Sequence, residues 1–243
     1  MFIVPDWPAP ANIKAVSTTR LGGVSQQAYL GLNLGLHVGD NKEHVQRNRA
    51  QLQQELRLVE PPAWLNQIHS TRVLELNAPL TAVPDADGSY TQISGIACTV
   101  MTADCLPVLL CDTGGNQVAA VHAGWRGTVD GIIEAALDKF TVPADQILAW
   151  LGPAIGSGAF EVGSEVREQF LASQPQAEQA FKSHGDKWLA DLYLLARQRL
   201  QRFGVTKIYG GEYCTFSNPD RFYSYRRDGV TGRQASLIWI ETE

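Results

Sequence analysis

The sequence predicts an α+β fold in a single domain, and two observations support that prediction. Strand-like apolar segments lie near both ends of the chain, at 13–19 and 236–240, and hairpins as well as helices connect the segments between them. This pattern differs from the regular strand and helix alternation of a doubly wound parallel sheet. No repeat, linker or low-complexity stretch divides the chain, so residues 1–243 are expected to form one domain.

The composition excludes several classes of protein. The chain has 243 residues, of which 44% are hydrophobic and 19% are charged, and its formal net charge is −5. This length supports one large core, and the acidic balance argues against a nucleic-acid surface. There is no 18-residue apolar stretch and no signal-type N-terminus, so we expect a cytoplasmic protein without membrane contact. Four cysteines without a CxxC pair fit a reducing compartment.

A predicted β-hairpin lies at the centre of the chain. Two short aliphatic and β-branched runs, 106–111 and 118–121, flank the turn sequence DTGGN. Cys105 precedes the first run and His122 directly follows the second, so pairing would bring a thiol and an imidazole to one edge of a sheet. The other three cysteines are interpreted as packing residues: Cys98, Cys111 and Cys214.

Further elements follow from periodicity and from start and stop signals. Apolar residues recur with helical spacing from Val129 to Phe140, which predicts a helix packed on the sheet. Asp40 followed by Glu43 resembles a capping box at the start of a polar helix. The remaining predicted helices are 164–172 and 186–203, and the remaining predicted strands are 71–76, 96–101, 147–151 and 205–209.

His69, in the segment NQIHS, is the best candidate to join Cys105 and His122 in a metal site. Three protein ligands from three segments leave a fourth position open, which is the usual composition of a catalytic zinc site. The alternative is structural, because a lone buried cysteine is commonly a small apolar filler and a histidine at a strand end commonly forms hydrogen bonds. Spacing alone leaves both interpretations open.

Five polar residues are candidate substrate contacts. Arg20 and Asn33 lie in glycine-rich segments that could fold over a pocket, although Arg20 could equally be a solvated or ion-paired residue. Arg126, at the start of the helix that follows the hairpin, could hold phosphate together with the N–H groups of that helix. Gln67 precedes His69 by two residues, and Arg226 lies in a tyrosine-rich loop where a surface ion-pair cluster is the other interpretation.

Five strings identify a family resemblance: NQIHS, TADCLPVLLCD, AVHAGWRGTVDG, LGPAIGSGAFEVG and SYRRDGVTGRQASLIWI. They resemble the bacterial family first labelled multicopper polyphenol oxidoreductase (laccase) and now described as purine nucleoside phosphorylase and adenosine deaminase enzymes. The resemblance implies a single catalytic domain with zinc held by His69, Cys105 and His122. It also implies a fold shared with some cysteine-hydrolase toxins, in which mixed β-sheets pack together with helices outside.

The activities implied by this resemblance are phosphorolysis of adenosine, inosine and methylthioadenosine, and hydrolytic deamination of adenosine. The small-molecule partners would be a purine nucleoside and phosphate. In zinc deaminases a metal-bound hydroxide attacks the purine while a carboxylate transfers protons, and Asp104 or Glu161 would be that carboxylate here. Strand alternation would aim Asp104 away from the face of Cys105 unless the chain bends between them.

Other functions remain open at this point. The protein could instead be an amidase or hydrolase, for example one that acts on a peptidoglycan precursor. Such an enzyme could use a metal-bound hydroxide, or, without a metal, Cys105 and His122 as nucleophile and base. A four-copper polyphenol oxidase would need more imidazoles than the five histidines present. Copper is the other metal that a His₂Cys set accepts, with Met101 as an axial ligand, although Met101 is better explained by packing in its strand. A metal-stabilised binding protein without turnover is the last alternative.

Overall fold

The structure is a computed structural model that describes residues 1–242, and within them it contains thirteen strands and six α-helices. The strands are β1 (Phe2–Ile3), β2 (Ile13–Thr18), β3 (Val73–Glu75), β4 (Gly88–Thr91), β5 (Cys98–Thr102), β6 (Leu106–Asp112), β7 (Val118–Ala123), β8 (Ile147–Leu151), β9 (Glu161–Val162), β10 (Phe181–His184), β11 (Lys187–Ala190), β12 (Lys207–Gly210) and β13 (Gln234–Ile240). The helices are α1 (Lys42–Glu55), α2 (Trp125–Asp130), α3 (Ile132–Leu137), α4 (Ser164–Ser173), α5 (Leu192–Arg202) and α6 (Tyr225–Asp228). None of these helices is long and apolar enough to cross a bilayer.

The predicted central hairpin is confirmed. Strands β6 and β7 pair antiparallel, with Leu106 opposite Ala123 and Cys111 opposite Val118. Every residue of both strands is buried. These strands form the middle of a six-stranded sheet with the order β12-β8-β6-β7-β4-β3, which is antiparallel at its centre and parallel in its two outermost pairs. The hairpin therefore fixes the position of the residues at its ends.

The two faces of the hairpin have different neighbours. Because side chains alternate along a strand, Val108 and Leu110 point to one face and Leu109 and Cys111 to the other. The first pair packs against α3 and α5. The second pair packs against a four-stranded antiparallel sheet with the order β1-β2-β13-β5. This arrangement of mixed sheets packed together with helices outside confirms the expected α+β fold.

The helix predicted for residues 129–140 is divided into α2 and α3. Gly131 ends α2 with a backbone φ of +101°, a left-handed conformation that glycine adopts without steric cost. The predicted apolar positions still pack on the sheet, and Ile132, Ile133 and Ala136 are fully buried. Periodicity therefore identified the buried face correctly and missed the break.

The helix predicted for residues 186–203 begins later, at Leu192, where the Asp191 carboxylate accepts a hydrogen bond from the N–H of Leu194 at 2.9 Å. The residues before it form β11, which pairs with β10 and β9 in a three-stranded antiparallel sheet. Gly185, with φ of +61°, makes the turn between β10 and β11. The helix prediction was wrong for the residues before Leu192. Their backbone N–H and C=O groups form hydrogen bonds with β10 across this turn instead of within a helix.

The first helix is also capped differently from the prediction. Asn41, rather than Asp40, is the N-cap, and its side-chain oxygen accepts a hydrogen bond from the N–H of Glu43 at 2.8 Å. The Asp40 carboxylate instead accepts hydrogen bonds from Ser25 (2.6 Å) and Asn33 (2.9 Å). It therefore anchors the glycine-rich segment 29–40 to the domain.

Arg199 joins the helical layer through an ion pair that is largely buried. Its guanidinium lies 2.9 Å from the Glu134 carboxylate of α3 and donates to Ser173 at the end of α4 at 2.7 Å. Arg199→Met should lower the free energy of unfolding by about 3 kcal/mol, because Glu134, whose side chain is only 14% exposed, then loses its partner. The matched change Arg202→Met, at an exposed position of the same helix, should cost less than about 1 kcal/mol. Urea titrations of both variants measure this difference, and equal midpoints would contradict it.

Candidate functional site

Three predicted side chains form a compact cluster. The ligand atoms of His69, Cys105 and His122 all lie within 4.8 Å of one another. The Cys105 Sγ atom is 4.0 Å from His69 Nε2, and the two imidazole rings meet edge to face with centroids 4.9 Å apart. The structure thus brings together the three residues that were predicted as metal ligands. That they bind a metal is still a prediction.

The hairpin places two members of this cluster. His122 lies in β7 opposite Pro107, and Cys105 immediately precedes β6, so both stand at the same edge of the sheet. Asp104 has a φ of +92°, which interrupts the extended conformation between β5 and β6. This is the bend that strand alternation required, and it allows both Asp104 and Cys105 to line one cavity.

The third member, His69, is positioned by Asp87. Its backbone is in the left-handed region, with φ of +61°. The fully buried Asp87 carboxylate accepts hydrogen bonds from the N–H groups of His69 (2.9 Å), Ser70 (2.6 Å) and Ile68 (3.2 Å). These hydrogen bonds stabilise an unfavourable backbone conformation and fix where the imidazole lies.

The same carboxylate orients His122. Asp87 Oδ1 lies 2.8 Å from His122 Nδ1, which leaves Nε2 as the ring nitrogen free to interact with the cluster. Burial favours the neutral acid, but the hydrogen bonds from His122 and Ser70 lower the pKa of Asp87 to about 2. Asp87 is not among the site residues predicted from the sequence, because its only sequence signal is an acidic residue beside a strand.

Cys105 and His122 shift each other's protonation. Burial disfavours the thiolate, but the imidazolium of His122 and then His69 lower the pKa of Cys105. Burial likewise disfavours the imidazolium, but the thiolate of Cys105 and then the carboxylate of Asp87 raise the pKa of His122. A thiolate beside an imidazolium is the form in which a cysteine is both a nucleophile and a metal ligand.

Gly124 allows the cluster to close. A Cβ atom at this position would lie 3.0 Å from Cys105 Sγ and 3.1 Å from His69 Cδ2. Any larger residue would therefore separate these two side chains. This close approach explains why glycine follows the end of β7 in the string HAGWRG.

The cluster opens into a cavity of about 520 Å³, a size typical of small-molecule sites. Aromatic and arginine side chains form its other walls, and each aromatic ring lies beside one guanidinium. The three pairs are Trp125 with Arg126 at 4.3 Å, Phe160 with Arg226 at 5.4 Å, and Tyr225 with Arg233 at 5.9 Å from guanidinium carbon to ring centroid. The cavity therefore offers flat apolar surfaces and positive charge beside the cluster.

Asp104 lines the cavity, but its carboxylate is already engaged. It accepts hydrogen bonds from Thr215 Oγ1 (2.6 Å), Ser224 Oγ (3.0 Å) and the backbone N–H of Arg226 (2.6 Å). These contacts place the start of α6, and with it Arg226, at the cavity wall. The structure thus gives Asp104 a positioning role in addition to the proton transfer that the sequence analysis considered.

Glu161 is not a member of the cavity wall. Its carboxylate pairs with Lys187 (2.7 Å) and His184 (3.1 Å) on the three-stranded sheet. Hydrogen bonds from Lys187 and then His184 lower the pKa of Glu161, and only its backbone oxygen contacts the cavity residue Arg226. The prediction of Glu161 as a proton-transfer group is therefore corrected, because ion pairing holds its carboxylate elsewhere.

Two predicted substrate contacts also lie outside the cavity wall. Arg20 donates to the backbone oxygens of Pro219 and Leu30 beside a separate groove. Asn33 is fully buried, and its side chain bonds Asp40 and the backbone of Gly35. The polar groups of both side chains form hydrogen bonds that connect loops to one another. The sequence alone could not show these contacts.

Three predicted contacts do line the cavity, namely Gln67, Arg126 and Arg226. Both ends of the Gln67 amide bond the backbone of Met101, at 2.8 Å and 2.7 Å, so this side chain fixes the wall. His37 and Arg233 also line the cavity and were not predicted. His37 belongs to the glycine-rich segment expected to cover a pocket, whereas nothing distinguished Arg233 from the other arginines near the C-terminus.

The histidine positions bear on the copper interpretation. Two of the five histidines belong to the cluster and His37 lines the cavity, whereas His44 lies in α1 and His184 pairs with Glu161. Met101 also lines the cavity, but its sulfur lies 3.6 Å from the Arg49 guanidinium. The chain thus provides one three-residue cluster and no set of histidines for a further copper centre within residues 1–242.

Comparisons with known proteins find similarity over nearly the whole chain. A family model described as multi-copper polyphenol oxidoreductase laccase matches residues 14–241. Relatives from Shigella flexneri and from Escherichia coli strain K12, both named Purine nucleoside phosphorylase YfiH, are each 53% identical over 239 residues. Each alignment covers 98% of this chain and 98% of the relative. A crystal structure of a Neisseria meningitidis protein matches with a TM-score of 0.96 and 53% identity, covering 99% of both chains.

Asp87 can be tested separately from any activity. Asp87→Asn places an amide N–H where the carboxylate accepted hydrogen bonds, so it should lower the free energy of unfolding by about 2 kcal/mol. The matched control Asp85→Asn, at an exposed position two residues earlier, should change it by less than about 0.5 kcal/mol. Chemical denaturation reports both values. Equal stability of the two variants would show that Asp87 does not hold this site together.

Proposed function

The chain belongs to the multi-copper polyphenol oxidoreductase laccase family, and from this premise we propose that it is a zinc-dependent purine nucleoside enzyme. Its main reaction would be phosphorolysis of adenosine, inosine or methylthioadenosine to the free base and the sugar 1-phosphate. Hydrolytic deamination of adenosine would be its second reaction. The supporting observation is a His-Cys-His cluster in a cavity walled by aromatic and arginine side chains. The four free cysteines of the chain are consistent with an enzyme that acts in the reducing cytoplasm.

The residues of the cluster fit zinc. Imidazole nitrogen and thiolate sulfur are both zinc ligands, and three protein ligands leave a fourth position open, as in catalytic zinc sites; copper is the other metal that two imidazoles and one thiolate accept. The Asp87 carboxylate behind His122 matches the usual partner of a metal-binding histidine. When bound with an open position, zinc supplies a hydroxide at neutral pH and polarises oxygen ligands.

The cavity walls fit a purine nucleoside and phosphate. Trp125, Phe160 and Tyr225 offer rings against which a purine base can stack. The guanidinium beside each ring would stabilise negative charge on phosphate and on the departing base. The protein residues therefore contribute binding, orientation and charge, which are the requirements of phosphorolysis.

Deamination receives weaker support from the same walls. It requires a carboxylate that transfers protons, and Asp104 is the one carboxylate among the residues lining the cavity. The Asp104 oxygens already accept hydrogen bonds from Thr215, Ser224 and the N–H of Arg226. Proton transfer by Asp104 would compete with these contacts, so phosphorolysis is the reaction that the geometry favours.

One observation supports a second candidate function. Cys105, His122 and Asp87 form a chain of nucleophile, base and orienting carboxylate, as in cysteine hydrolases. In this alternative the protein is an amidase or hydrolase, with a peptidoglycan precursor as the substrate to test. A copper-dependent polyphenol oxidase has the least support, because the chain has five histidines and only two of them belong to the cluster.

Product analysis tests the proposed reactions. Protein of known zinc content is incubated with adenosine or inosine, with and without phosphate, and the products are separated by chromatography. Phosphate-dependent release of the free base is expected, together with a smaller amount of phosphate-independent inosine from adenosine.

Cys105→Ala should reduce both activities at least about a hundredfold, because it removes a ligand. Cys214→Ala, a partly exposed cysteine outside the cavity, is the matched control. No product from zinc-loaded protein would refute the proposal.

Alkylation distinguishes the metal site from the cysteine hydrolase. In the Cys214→Ala protein Cys105 is the one accessible thiol, because Cys98 and Cys111 are fully buried, which also raises their pKa to about 12. Iodoacetamide should modify Cys105 slowly in zinc-loaded protein and at least about tenfold faster after chelation. Mass spectrometry of the intact protein follows the reaction. Rapid modification at the same rate in both samples would favour the amidase.

A further inference from the structure

Arg233 differs from the other two arginines of the cavity in its burial and its contacts. Arg126 and Arg226 are exposed, whereas Arg233 is partly buried. Its Nη1 donates to the backbone oxygens of Thr231 (3.2 Å) and Gly232 (2.9 Å). Within residues 1–242, its Nε and Nη2 donate no hydrogen bond and no carboxylate lies within 4.0 Å of the guanidinium. Two donors of a desolvated cation are therefore available to the cavity.

The position of Arg233 is fixed by its neighbours. Its backbone N–H donates to the buried Asn33 Oδ1 at 2.9 Å, and its backbone oxygen accepts from Leu34 at 3.1 Å. Its side-chain stem packs on Gly35, where a Cβ atom would lie 2.8 Å from Arg233 Cγ. The ring of Tyr225 lies beside the guanidinium. Asn33, which the sequence analysis assigned to substrate binding, thus acts through Arg233 as a positioning residue.

Within residues 1–242 Arg233 forms no ion pair with a carboxylate, and a second basic side chain lies in the same cavity. His37 shares its cavity, and burial and then the charges of Arg233 and Arg49 lower the pKa of His37. Burial lowers the pKa of Arg233, and the more distant charges of Cys105 and then Asp104 only partly oppose this effect. Like charges in a partly desolvated cavity repel, and a partly buried cation without a carboxylate in direct contact is costly. A bound anion would relieve both costs.

The other arginines fit an anion less well. Arg226 donates to the backbone oxygen of Glu161 through Nη1. Arg126 is exposed, and the helix behind it, α2, is only six residues long. The helix-based phosphate site of the sequence analysis therefore lacks the longer helix that it assumed. A fixed guanidinium with two free donors is better suited to a tetrahedral oxyanion.

We propose that Arg233, with His37 beside it, forms the subsite for inorganic phosphate; this inference rests on the proposed phosphorolysis. The guanidinium holds two phosphate oxygens, and a third oxygen forms a bond to C1′ of the ribose as the C1′–N bond breaks. The base leaves with the electron pair of that bond and takes the proton of hydrogen phosphate. The products are the neutral base and the sugar 1-phosphate, so atoms and charge balance.

Phosphate binding and kinetics test this assignment. Isothermal titration of inorganic phosphate into Arg233→Met should show at least about tenfold weaker binding than in the unaltered protein. The KM for phosphate should rise by a similar factor, while the KM for inosine changes less than about threefold. Arg20→Met, at the separate groove, is the matched control and should bind phosphate normally. Circular dichroism and thermal melting establish that each variant is folded.

Two further variants keep the test independent of the folding of Arg233→Met. Arg233→Lys retains the charge but loses the fork of donors, so it should bind phosphate with intermediate affinity. Gly35→Ala retains Arg233 but displaces its stem, so it should weaken phosphate binding at least about threefold. These changes distinguish the placement of the guanidinium from its charge alone.

The outcomes separate this inference from the proposed function. Phosphorolysis with an unchanged phosphate KM in folded Arg233→Met overturns the subsite and leaves the function standing. Phosphate binding that disappears in Arg233→Met, in a protein that releases no base from any purine nucleoside, supports the subsite and overturns the function. Phosphate binding that weakens equally in Arg233→Met and Arg20→Met reflects a general charge effect and also overturns the subsite.

Discussion

The Asp87 carboxylate is the interaction on which the site depends. One buried group accepts hydrogen bonds from three consecutive backbone N–H groups at residues 68–70 and also holds the imidazole of His122. It thereby joins a loop in an unfavourable left-handed conformation to the end of β7. Without this connection nothing in the sheet would keep His69 beside Cys105, because His69 belongs to no strand. The rigid hairpin supplies two members of the cluster, and Asp87 supplies the third.

The same arrangement supports two chemistries, which explains why the site is ambiguous from its residues alone. A carboxylate behind an imidazole that faces a thiolate is the geometry of a metal ligand set with its outer partner, and also of a cysteine nucleophile with its base. The additional imidazole of His69 favours the metal, because a nucleophile and its base need no third ligand. The aromatic and arginine walls then favour a flat base and an anion over a peptide.

The charge distribution of the cavity contrasts with that of the chain. The protein has a formal net charge of −5, yet three arginines line this cavity and the one carboxylate among its lining residues is fully hydrogen-bonded. Glu161 pairs with Lys187 and His184 instead of facing these arginines. Such local positive charge attracts anions and stabilises charge that develops during a reaction.

The sequence by itself determined the central hairpin, the α+β class and the three residues of the cluster, because alternation and turn residues specify strands locally and the family strings mark their ends. It did not determine the break at Gly131 or the cap at Asn41, because each depends on the conformation of one residue, nor the strand before α5, because that strand depends on pairing with β10 and β9. Asp87, His37 and Arg233 acquired their positions only in the tertiary structure. Their neighbours come from segments up to 200 residues away, and no local sequence pattern indicates a hydrogen bond between Asn33 and Arg233, the residue before β13.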